Sequence, residues 1–161
     1  MKIIFVLVLS VFLTGCGSQD PNEIVEEFYE LLIYSDLKDN ENKHAFLGFT
    51  TGRLKTKLGE KFEYADKNEQ PYEMQFIPVL GVYGNILELS DVNIEIEKEE
   101  FVEKDGEVVS ATVIAKTSGE IKDETWFSKD KFSFTLDNDQ WRITKIVFAH
   151  EGGAGSPVSF P

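Results

Sequence analysis

A single cysteine, Cys16, among 161 residues rules out an intramolecular disulfide, so any folded domain here relies on its core alone. Cations are scarce: 16 Lys and Arg face 29 Asp and Glu, for a net charge of −13. That balance disfavours nucleic acid as a partner, because cations that neutralise phosphates supply most nucleic-acid affinity. It also repels anionic head groups and wall polymers at long range, and it serves to keep a domain soluble and monomeric. The uncharged run from Ile3 to Leu13 is too short to span a bilayer as a permanent helix. No His-Glu-x-x-His, phosphate loop or dinucleotide glycine pattern occurs, so no cofactor is expected.

What is present at the start of the chain is an address. One cation, Lys2, precedes the run Ile3 to Leu13, which closes on Leu13-Thr14-Gly15-Cys16. These four residues resemble the bacterial lipobox. The resemblance implies that the Cys16 thiol receives a diacylglyceryl group and that cleavage before it makes Cys16 the first mature residue. Residues 1 to 15 are then a signal peptide, residues 16 to 20 the lipidated cysteine and tether, and the membrane a partner through the acyl chains at the extracytoplasmic face. Removing 15 of 161 residues leaves 146, one ordinary domain, and losing Lys2 takes the charge from −13 to −14.

Asp20-Pro21-Asn22-Glu23 reads as a capped helix start. Ile24, Val25, Phe28, Leu31 and Leu32 then recur at helical spacing over about four turns. A second helical region, Asn42 to Tyr64, carries Phe46, Leu47, Leu54, Leu58 and Phe62 and is expected to divide at Gly48 and Gly52. Arg53, Lys55 and Lys57 are expected to be solvated. Ala65 to Leu89 shows no clean period and is expected to cover a sheet edge.

From Asp91 the period becomes two, with Val92, Ile94 and Ile96 alternating with Asn93, Glu95 and Glu97. Lys104-Asp105-Gly106 marks a tight turn, and an inner strand follows from Glu107 to Thr117. A looser turn is expected at Ser118-Gly119-Glu120. Trp126, Asp130, Phe132, Phe134 and Leu136 share a parity, and after the turn Asp137-Asn138-Asp139 the parity change from Trp141 and Ile143 to Ile146 and Phe148 implies a bulge near Lys145. Glu95, Glu97, Glu99, Glu100 and Glu103 are expected to line one wet, acidic stripe. The Gly-, Ser- and Pro-rich segment 149 to 161 reads as a flexible tail.

Helices followed by an antiparallel meander give an α+β domain over residues 21 to 148, with N-terminal helices packed on a curved sheet. The opening Asp20 to Tyr29 and the closing Phe132 to Ile143 resemble the cystatin-like cone of the nuclear transport factor two superfamily. The resemblance implies a pocket between concave sheet and helices, for which Tyr29, Tyr83, Trp126 and Phe134 are the candidate ligand-binding residues, but no single function. A non-catalytic module binding a protein or a small apolar ligand through that pocket is the leading expectation, and a structural envelope lipoprotein acting through its acidic face is an alternative. An isomerase or hydrolase in the same pocket would need two ionisable groups facing each other, drawn from His44, Tyr29, Tyr72, Tyr83 and Asp130. Of these, Asp130 sits between Lys129 and Lys131 and is expected to face water, as are His44 and His150. Ser128-Lys129-Asp130-Lys131 has Ser-x-x-Lys spacing, but in a strand and in the wrong chain order for penicillin-binding chemistry. Asp36, Asp39 and Glu41, or Asp137 and Asp139, lack calcium-loop spacing and read as turn formers.

Overall fold

The computed structural model describes residues 19–70, 90–121, 124–150 and 158–160. Cys16, Tyr72 and Tyr83 lie outside these residues, as does the segment Ala65 to Leu89 beyond Gln70. Three helices, α1 (Pro21–Tyr34), α2 (Asn40–Gly48) and α3 (Gly52–Lys67), precede five strands: β1 (Ser90–Lys104), β2 (Glu107–Ile121), β3 (Glu124–Asp137), β4 (Gln140–His150) and β5 (Val158–Phe160). The strands form one antiparallel meander in the order β1-β2-β3-β4-β5, and the helices pack on one face of it, an α+β fold. Among the described residues, no helix is long and apolar enough to cross a membrane.

Local chemistry explains the helix starts. Asp20 is extended and its N–H donates to Glu23 Oε2 at 3.3 Å, while Pro21 occupies the first turn, where no amide partner is needed. In α2, Asp39 Oδ1 accepts the Glu41 N–H at 2.7 Å, and just before it Asp36 Oδ1 accepts the Lys38 N–H at 2.9 Å. These carboxylates therefore serve the backbone. Asp39→Ala is expected to cost about 1 kcal/mol, measured as a lower urea midpoint at unchanged slope. Gly52 opens α3 at φ +59°, a left-handed turn that breaks the helical region near the expected place.

The sheet rests on two tight hairpins. Asp105 and Gly106 (φ 57° and 85°) join β1 to β2, and Asn138 and Asp139 (φ 50° and 59°) join β3 to β4, both turns whose twist matches that of the flanking strands. β2 does not turn at Ser118-Gly119-Glu120. It continues to Ile121, with Ser118 paired to both Asn93 and Phe127, because neighbours on both sides satisfy its backbone. The expected bulge near Lys145 is present as a register shift between Ser133 and Phe134. Part of the segment read as a flexible tail is also paired: β4 runs to His150, and Val158–Phe160 adds to its edge.

Irregularities along β1 correct the acidic stripe. Glu95 pairs with the outward-facing Lys116, but a register shift between Ile96 and Lys98 inverts the alternation, so that Glu99 pairs with buried Val113. Glu99 is thereby carried to the helix side. Burial raises its carboxyl above the ordinary range, the charge of Asp20 adds to this, and a hydrogen bond from the Asn22 N–H opposes it. One side chain of the stripe thus meets the start of α1 instead of solvent.

The core lies between the helices and the inner sheet face. Phe28 stacks on Phe46 (ring centroids 4.7 Å) and meets Phe132 edge-on at 5.7 Å, linking α1 to α2 and to β3. Val113, Ala115, Phe132, Ile143, Ile146 and Phe148 complete the sheet side. On the other edge of β4, the linker between α2 and α3 joins the sheet: Ile143 N–H donates to Phe49 O at 2.8 Å and Thr51 N–H to Ile143 O at 3.0 Å.

Candidate functional site

Two places gather chemically able side chains. The first is on the inner sheet face. Strand alternation places Ser128, Asp130, Phe132 and Phe134 inward, and the register sets Ser128 opposite Thr117. Asp130 is fully buried, contrary to the water-facing expectation: the flanking Lys129 and Lys131 take the outer face, and Asp130 follows the parity of Phe132. The Tyr29 hydroxyl of α1 donates to Asp130 Oδ2, and Ser128 Oγ donates to Oδ1 at 2.5 Å. Burial pushes the Asp130 carboxyl up to about 6, against the downward pull of the hydrogen bonds from Ser128, Tyr29 and the Ala149 N–H. Next to this group Thr117 is buried, and its Oγ1 has no hydrogen-bond partner among the described residues.

Tyr29 is therefore held by two different forces. Its ring sits edge-on to Phe28 at 6.0 Å and to Phe132 at 5.6 Å, and its hydroxyl is spent on Asp130. Phe134, 2 % exposed, is likewise core. Of the four candidate ligand residues, these two pack into the interior, Tyr83 lies outside the described residues, and Trp126 belongs to β3 by its backbone, its side chain lying outside the description. Tyr29 and Asp130 do meet as two facing ionisable groups. In the sequence Ser128 stands out only for its Ser-x-x-Lys spacing, and neither it nor Thr117 is expected in the interior, although their inward parity with Phe132 and Ala115 is the available signal.

The second place is an open cleft of about 430 Å³ between α2 and α3. Leu47, Gly59 and Phe62 line it, with His44, Lys43 and Glu63. Lys43 is committed to Asp66 at 2.9 Å and lies 5.7 Å from the Phe62 ring centroid. His44 is exposed as expected and sits far along the chain from Asp130, with no polar contact tying it to the buried group. Arg53, Lys55 and Lys57 are also exposed.

On the outer sheet face, Lys129 pairs with Glu97 and Lys98 with Glu100 (2.6 Å). Lys116 lies 5.5 Å from the Phe127 ring centroid. Among the described residues, no group of three or more His, Cys, Asp or Glu side chains converges as a metal site. No family model matches this sequence, and no curated protein is similar to it.

Proposed function

We propose that the chain is an extracytoplasmic lipoprotein, held to the membrane through Cys16, whose α+β domain acts as a non-catalytic binding or assembly module. The supporting observation is the state of the interior. Asp130, the one acid buried there among the described residues, takes its hydrogen bonds from inside the fold, and Tyr29 and Asp130 have no exposed surface for a substrate to touch. Binding then belongs to the outer surface. Three residues separate Cys16 from Asp20, and the four steps along the chain reach about 14 Å at ~3.5 Å each, so the domain stays against the bilayer. The likeness to the cone-shaped superfamily agrees with this plan without choosing a ligand.

The experiment is metabolic labelling with a palmitate analogue. Wild type is expected to incorporate label and sediment with membranes, and Cys16→Ser to lose the label completely and remain unprocessed. Unlabelled wild type in the cytosol would overturn the anchor.

The Tyr29–Asp130 pair favours one second reading, an isomerase acting on small carbonyl compounds after the pair opens. Its mark would be deuterium exchange at the carbon next to a ketone carbonyl, lost in Asp130→Asn.

A further inference from the structure

Within an acidic molecule, the outer sheet face gathers cations into one column on β3 and β4. Strand alternation turns Lys129 and Lys131 of β3 outward. The register places Lys145 of β4 opposite Ser133 and Arg142 opposite Thr135, on the same face. Same-face residues of a strand are ~6.7 Å apart, so these four cations occupy four successive rows over about 20 Å. Lys116, opposite Lys129, extends the first row onto β2. The carboxylates of this face lie beside the column: Glu95, Glu97, Glu100 and Glu103 on β1, Glu120 near the end of β2, and Asp137 at the β3–β4 turn, with the charge of Glu97 reaching Lys129 and Lys116 and that of Glu100 reaching Lys131. Glu97 offsets part of the Lys129 charge, and Thr51 Oγ1 donates to Asp137 at 3.3 Å.

We propose that this column is a docking surface for a linear polyanion of the inorganic polyphosphate class, a chain of phosphates joined directly to one another. The inference deepens the reading of the domain as a binding module and does not depend on the lipid anchor. Screening over about 8 Å at physiological salt lets the column act on a polymer lying along it, although the chain carries −13 overall. A flat anionic bilayer is the poorer occupant, because bringing it to the column also brings the acidic β1 margin to it. Nucleic acid is poorer too, because it gains affinity by stacking bases on open aromatic rings, and Phe127, the one described aromatic of this outer face, is 38 % exposed with the Lys116 ammonium over its ring.

The test uses the full chain in neutral detergent and fluorescent inorganic polyphosphate over a salt series of about 0.05–0.2 M, where screening holds, followed by anisotropy. Binding is expected, with log K falling against log salt at a slope of about −3, as four neutralised charges require at ~0.7 each. Lys131→Glu with Lys145→Glu is expected to weaken binding at least tenfold and to halve the slope. Lys38→Glu with Lys57→Glu, both exposed on the helical side, makes the same change in net charge and is expected to alter binding less than twofold. All four lysines are exposed, so circular dichroism is expected to show every variant folded. Absence of binding, equal weakening by both pairs, or preference for phosphatidylglycerol vesicles or single-stranded DNA of matched charge would each overturn the proposal. Loss of the anchor with polyphosphate binding intact would leave it standing.

Discussion

Phe28→Ala lowers the free energy of unfolding by about 4 kcal/mol, the cost expected when a fully buried phenyl ring is removed and its space only partly closes. Phe28 merits the upper part of that range because its ring touches three others that belong to different elements: Phe46 on α2, Tyr29 on α1 and Phe132 on β3. No one of these can move into the gap without leaving another contact. For a domain of this size, that loss is a drop of roughly 10–20 °C in melting temperature. Phe28→Leu, which keeps most of the volume, is expected to cost about 1.5 kcal/mol. Chemical denaturation of both variants checks the pair of values. Equal costs would show that the helices and the sheet are not joined through this ring.

The second large effect concerns pH. Asp130 has a carboxyl near 6 in the fold against 3.8 when free, so the folded chain holds the proton more tightly than the unfolded chain does. The associated stability is fully present below about pH 4 and is lost as pH rises through 6, where the buried group must ionise. A shift of about two units at ~1.4 kcal/mol each makes the loss about 3 kcal/mol. Asp130→Asn removes that ionisation. Relative to wild type, the variant is expected to gain stability steadily from pH 4 to pH 7 and to level off above. Tyr29→Phe, which deletes a donor to the charged form, is expected to enlarge the wild-type loss and extend it to higher pH. Urea midpoints of the three proteins at half-unit pH intervals check this. Parallel curves for wild type and Asp130→Asn would show that the group ionises without penalty.

Much of the architecture follows from local signals. Asp20-Pro21-Asn22-Glu23 begins a helix, Asp105-Gly106 and Asn138-Asp139 turn hairpins, and the parity change around Lys145 is a bulge, because each is decided by a few adjacent residues. The misreadings arise where distant partners decide. Gly119 resembles a turn residue until β1 and β3 are present on either side of β2. Asp130 shares its parity with Phe132, but the two flanking lysines argue for water, and the hydroxyl that accommodates it comes from Tyr29, 101 residues earlier. Glu99 is turned inward by a register shift whose position is masked by four consecutive charged residues, Glu97 to Glu100. The column Lys129, Lys131, Lys145 and Arg142 is invisible in a total charge of −13, because it forms only when two strands are laid side by side.

The seam at Ile143 bears on how the polypeptide can be divided. The backbone of Phe49 and Thr51 completes the hydrogen bonding of β4 at that point, 92 residues from Thr51 in the chain. A fragment holding the meander alone would leave that rim of amide groups bare, an invitation to self-association, and a fragment holding the helices alone would have nothing to lie on. The two halves, distinct in pattern, share one core, and a truncation that parts them is expected to destabilise both.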